Sequence, residues 1–158
     1  MADLTPLDEK LAEVLGLAQA AQSATQTVEG MEDADAFAAD LERMREQAAE
    51  TERRTDDLVD RLDGKKTAIR EKARETKSEA VDMMKTYLAG EDEALDGFEF
   101  LSMAEAGELC HWEIVQTMAD TLSLDDVSAL ADWAVEVQRG HVETVRAASL
   151  ELAQQEVG

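Results

Sequence analysis

The chain has 158 residues, 15 of them basic and 37 acidic, for a net charge of −22, with one proline, one cysteine and 4% aromatic residues. A lone cysteine excludes an internally disulfide-built fold, and no stretch carries the basic surplus that nucleic-acid binding needs. Anionic membranes would repel the chain, no apolar run approaches the roughly 20 residues of a bilayer span, and scarce Ile, Tyr and Phe disfavour a sheet protein.

The charge is unevenly spread. Residues 1–42 hold 1 basic and 10 acidic groups, residues 43–85 hold 12 and 11, and residues 86–158 hold 2 and 16. Such an excess repels itself unless salt screens it. With only 6 lysines, the composition matches proteins of salt-loving cells; an ordinary acidic cytosolic protein is the alternative. The opening Met-Ala-Asp-Leu-Thr-Pro has no basic run ahead of an apolar block, so a cytoplasmic protein without a signal peptide is expected.

Glycines and capping residues divide residues 1–158 into long helices of one domain, over about 4–29, 33–63, 65–88, 92–122 and 124–155. In the first, Thr5 is the expected N-cap with Pro6 at the first helical position. Its stripe runs Leu4, Leu7, Leu11, Val14, Ala18, Ala21, Thr25, Val28. The second starts at Asp33 or Asp35, carries Phe37, Leu41, Met44, Ala48, Thr51, Thr55, Leu58 and Leu62, and stops at Gly64. The third is rich in Lys, Arg and Glu and has a thinner stripe of Ile69, Ala73, Ala80, Met84 and Leu88, ended by Gly90. The fourth reads Phe98, Leu101, Glu105, Glu108, Trp112, Val115, Ala119, Leu122. Ser123 is expected to cap the last, whose seam is Leu130, Ala134, Val137, His141, Val145, Ala148, Leu152. Spacings of three and four put one face of each rod against its neighbours. Long rods on short links fold back on each other, which predicts an all-α antiparallel four-helix bundle with an extra helical connecting segment.

The seams are interrupted at mid-helix. Glu105 and Glu108 take two consecutive seam positions, His111 follows Glu108 by one turn, and His141 sits in the last seam with Gln138 three residues before it. The second helix offers Thr51 and Thr55, with Glu50 and Glu52 beside them, and the first offers Gln19 and Gln22; if the helices pair antiparallel in full, these groups meet at about the same height. Buried carboxylates demand compensation. A metal pair would supply it, as would a network with a protonated histidine; carboxylates pointing between helices into solvent would not need it.

The run Ala104-Glu105-Ala106-Gly107-Glu108-Leu109-Cys110-His111-Trp112-Glu113-Ile114, with the block Glu50-Thr51-Glu52-Arg53-Arg54 before Leu58 and the basic segment 64–77, resembles the ferritin-like family that includes the bacterial stress proteins YciE and YciF. The seam residues Glu105, Glu108, His111 and His141 are the candidate ligands of such a metal pair, iron or manganese; the resemblance implies a ferritin-like fold and adds Glu50 and Glu113 to that set. His111, Glu113 and Glu50 match motif positions of that family. Cys110 stands where it has a Glu, Arg54 where it has a His, Gln19 near where it has a first-helix Glu, and Gln138 where it has the Glu of a last-helix Glu-x-x-His. Neutral amides and Arg are poor ligands for hard divalent metals, and Arg54 is expected to pair with Glu105 or Glu108 in place of a metal.

Two functions follow: a metal-binding stress-response or iron-handling protein, or a non-enzymatic bundle that lost its metal and works through protein–protein contacts. A phosphate-binding glycine loop, a nucleophile elbow and a zinc motif of usual spacing are all missing from the sequence, so no catalytic residue is assigned. Cys110 is expected as a buried small hydrophobe. Phe100, Met103, Ile114, Met118 and Trp133 lie off the seams and predict an apolar patch covered by a two-fold homodimer.

Overall fold

The computed structural model describes residues 3–158; Met1 and Ala2, the first residues of the stretch read for a signal peptide, lie outside the described residues. Five long helices account for nearly all of it: α1 (Pro6–Glu29), α2 (Ala38–Asp60), α3 (Lys66–Tyr87), α4 (Ala94–Thr121) and α5 (Asp125–Val157), with a 3-10 turn over Asp35–Phe37 ahead of α2. Among the described residues no helix is long and apolar enough to cross a membrane.

The start of α1 is fixed as its sequence suggests. The Thr5 hydroxyl accepts from the Asp8 amide at 3.1 Å, the Asp8 carboxylate accepts from the Thr5 amide at 2.9 Å, and Pro6 opens the helix. Asp8 also takes the Lys65 ammonium at 2.8 Å, pinning the α2–α3 link to the first turn of α1. Burial alone would push the Asp8 carboxyl up; Lys65 and the Thr5 amide outweigh it and hold it below its ordinary value.

Three expected boundaries are corrected. The second helix begins at Ala38 rather than at residues 33–35, because Asp33 takes a left-handed φ of 65° and the next residues form the tighter 3-10 turn. It ends at Asp60, where the Arg61 amide bonds back to Leu58 and Val59. Ser123 does not cap α5: its φ is 57°, Leu124 takes the N-cap place without a side-chain bond, and Gly64 and Gly90 supply the other left-handed turns.

α1 packs against α2, α3 and α4, and α5 packs against α4 and α2. Val28 meets Phe98 at one end while Leu11 meets Trp112 at the other, so α1 and α4 run in opposite directions. Leu58 shares a cluster with Leu130, and Met44 with Ala148, so α2 and α5 also oppose each other. α3 carries the chain back alongside α1, which leaves α2 and α4 pointing the same way. That return needs close approach: a Cβ at Gly16 would strike the Ala73 carbonyl oxygen and Thr76 of α3. At the opposite end the links join through the Glu32 amide, which donates to Asp92 at 2.9 Å, and the Glu32 carbonyl, which accepts from Ala94 at 2.9 Å.

The core has two apolar halves. One gathers Val28, Phe37, Leu41, Met44, Phe98, Leu101, Val145 and Leu152; the other gathers Leu7, Leu11, Leu58, Trp112, Val115 and Leu130. Along α2, α4 and α5 the residues between these halves are Thr51 and Thr55, Glu105 and Glu108, and Gln138 and His141, all buried.

Candidate functional site

The polar layer centres on Glu105, 2% exposed, and Glu108, 4% exposed, one turn apart on the inward face of α4. α5 supplies Gln138 and His141, buried to the same degree. Gln138 Nε2 donates to Glu105 Oε2 at 2.8 Å, and His141 Nδ1 lies 3.6 Å from that oxygen. The other His141 nitrogen, Nε2, is 2.7 Å from the Gln47 amide oxygen of α2. An amide oxygen can only accept, so Nε2 carries a proton. The imidazole thus bridges α2 and α4, with the Gln47 amide oxygen on one side and the Glu105 carboxylate on the other.

Glu108 is treated differently by its surroundings. Its Oε2 is buried and bonds to no partner, as is the Trp112 indole nitrogen one turn further on. Burial, with the Glu105 carboxylate beside it, pushes the Glu108 carboxyl well above its ordinary value. The pair therefore divides its roles. Glu105 accepts from Gln138, and Glu108 is the one whose charged form is disfavoured, by burial and by the Glu105 charge.

The other sequence-derived candidates lie elsewhere. His111 turns outward: its Nδ1 donates to the Gly107 carbonyl at 2.8 Å and its Nε2 faces Glu13 of α1 at 3.6 Å. Glu113 is exposed. Glu50 lies on the outer side of α2 and bonds Arg53 and Arg54, at 2.6 Å and 2.8 Å, which hold its carboxyl down at about 2. So Glu105, Glu108 and His141 share one layer, and Glu50, His111 and Glu113 do not join it. Arg54 does not reach Glu105 or Glu108, contrary to expectation: besides Glu50 it covers the Trp133 ring of α5 at 4.0 Å. Thr51 and Thr55 satisfy their hydroxyls on their own helix, at the Gln47 and Thr51 carbonyls. Gln19 and Gln22 clamp the two oxygens of Glu52 at 3.0 Å and 2.8 Å. Cys110 is exposed, a correction to its expected burial: it follows Leu109 onto the outer face of α4. Of the off-seam apolar residues, Phe100 is buried, Ile114, Met118 and Trp133 are half-buried, and Met103 is 54% exposed.

A metal ion would require at least three His, Cys, Asp or Glu side chains converging on one point. Among the described residues no such group occurs. The third and fourth positions around Glu105 and His141 are filled by the amides of Gln138 and Gln47, which bind hard cations poorly compared with carboxylates. The donor set therefore does not fit a resident iron or manganese centre. Gln47, the acceptor that orients His141, was not among the sequence-derived candidates; its place one turn before Thr51 on α2 was the available signal.

A cleft of about 390 Å³ opens from this layer to the surface between α3 and α4, with α1 at its base. Glu105, Glu108 and His111 mark one end, and Met84, Phe100 and Met103 form the walls.

Comparison of the chain with protein-family models, with curated proteins and with solved structures returns no match.

Proposed function

We propose that the chain is a ferritin-like four-helix bundle whose central layer is held by hydrogen bonds and protons rather than by metal, and that it works as a non-enzymatic binding protein. The fold part of this reading draws on the chain path: α1 and α2 antiparallel, α3 as a single long return, then α4 and α5 antiparallel. One long crossover is the connectivity of ferritin-like bundles. The observation that carries the rest is the pairing of Glu105 with Gln138 and of His141 with Gln47. Each amide takes a place beside a potential ligand and satisfies it without a metal.

The test is elemental analysis of untagged protein purified without chelator, with melting curves before and after chelator. The expected result is metal far below one ion per chain and an unchanged melting temperature. Near two ions per chain, with a melt lowered by chelator, would overturn the reading, since an ion bound only by the folded state stabilises it by mass action. That result would restore the iron-handling or stress-response alternative, which rests on Glu105, Glu108 and His141 lying in one layer.

The reading includes self-association through the half-buried Ile114 and Met118 of α4. Sedimentation across micromolar concentrations should give a species of twice the 17.3 kDa chain mass, and a monomer throughout would remove the dimer from it.

A further inference from the structure

The cleft between α3 and α4 is apolar along its walls and acidic at one end. Its volume of about 390 Å³ falls in the range of small-molecule sites. On α4 it extends from Phe100 to His111, roughly 16 Å at the helical rise. Glu108 lines it, is 4% exposed, and leaves Oε2 without a hydrogen-bond partner. No Lys or Arg lines the cleft, and the His141 imidazole faces Glu105 instead.

We propose that this cleft binds a long-chain primary amine, with its hydrocarbon along Met84, Phe100 and Met103 and its ammonium on Glu108 and Glu105. The head group follows from the end of the cleft. A carboxylate head would be set against Glu105, and an alcohol has one donor for two carboxyls. An ammonium has three donors and a compensating charge. A protein of net charge −22 also concentrates cations around itself. The apolar walls favour an alkyl chain over a polyamine, whose inner nitrogens would be buried without partners. The inference rests on the metal-free reading above, because an ion on Glu105 and Glu108 would compete for the same oxygens.

The experiment is calorimetric titration of the full chain with decylammonium chloride, with decanol and decanoate for comparison. Buffer at about 1 M KCl screens diffuse surface attraction, and metal content is measured on the same preparation. Decylammonium should bind one molecule per chain, roughly tenfold or more tighter than decanol, and decanoate should not bind. Glu108→Gln, which keeps the shape and removes the ionisable carboxyl that an ammonium would pair with, should weaken decylammonium by a similar factor. Ala104→Trp, placed at an exposed position on the cleft rim, should abolish binding while circular dichroism stays unchanged. Binding of many molecules per chain that Ala104→Trp leaves intact would overturn the proposal in favour of surface adsorption. Equal affinity for decanol would overturn the acidic recognition. A metal-free wild type that binds no amine would overturn this inference alone, whereas a metal-loaded one would overturn the reading beneath it.

Discussion

Gln138 donates to Glu105 at 2.8 Å across the α4–α5 seam, and both side chains are 2% exposed. One amide thus satisfies the buried carboxylate from the neighbouring helix. Removing the amide leaves a buried carboxylate oxygen without its donor. Gln138→Leu should therefore destabilise the fold by about 2–4 kcal/mol, since an unsatisfied buried charge costs more than a neutral bond contributes. Urea unfolding would measure it, and a loss under about 0.5 kcal/mol would mean that Glu105 finds another partner.

Glu108 makes stability depend on pH. Unfolded, its carboxyl titrates near 4.5; folded, burial and the Glu105 charge raise that value. Between the two values the native state binds more protons than the unfolded state, so stability falls as pH rises above about 4.5 and the loss is complete above the folded value. Glu108→Met keeps the volume and removes the titration. The variant should be more stable than the wild type by about 1–3 kcal/mol at pH 8, with the gap narrowing toward pH 4. Thermal melts across that range test it; a gap that does not change with pH would assign the gain to packing alone.

The fold was legible in the sequence wherever periodicity sets it. The five helices follow their apolar spacing, and Gly64 and Gly90 turn the chain where glycine was expected to. The ends of the second and last helices were less legible, because Asp33 and Ser123 adopt left-handed φ values that their residue types only permit. The buried layer was legible as faults in the seams of α4 and α5. Its partners were not: helical spacing alone cannot say whether His111, between the seam and the outer face, turns to Glu108 or to Glu13. Arg54 was misplaced for the same reason, since a long side chain one position from a seam can cross either side of its helix, and it settles on Trp133.

The α1–α3 contact depends on Gly16. A Cβ there would strike the Ala73 carbonyl oxygen and Thr76, and backbone cannot move aside as a flexible side chain can. Gly16→Ala should cost about 1–3 kcal/mol by forcing α3 outward, despite the better helix propensity of alanine. Gly107→Ala is the control, because open space surrounds that position, and it should be neutral or slightly stabilising. Equal effects of the two substitutions would remove the close approach as a constraint.

Arg54 lies on the surface, so its loss should be mild. It pairs with the partly exposed Glu50, which keeps Arg53, and covers Trp133. Arg54→Ala should cost about 0.5–1.5 kcal/mol and change the tryptophan fluorescence of Trp133. A cost of several kcal/mol would instead place the guanidinium against the buried carboxylates.

The acidic surface makes the last prediction. Many of the basic side chains are already matched locally: Arg43 with Asp40, Arg70 with Asp56 and Asp60, Arg139 with Glu136. Acidic groups still outnumber basic ones by 37 to 15, and Glu32, Glu91, Asp92, Glu93, Asp96 and Glu156 face one another at one end of the helices. Mutual repulsion there raises the carboxyls of Glu91 and Glu93, through Asp96 and Glu156 respectively. Exposed ion pairs are worth little and weaken with salt, while repulsion spread over a net charge of −22 is relieved by it. At about 2 M KCl the screening length falls below the spacing of most surface charges, so relief should exceed loss. The melting temperature should rise by roughly 10 °C between dilute buffer and about 2 M KCl. Glu93→Gln should raise the dilute-buffer melt and shrink the salt response. Equal midpoints in dilute buffer and in molar KCl would mean that the surface charge does not limit stability, and would remove the basis for reading the composition as an adaptation to salt.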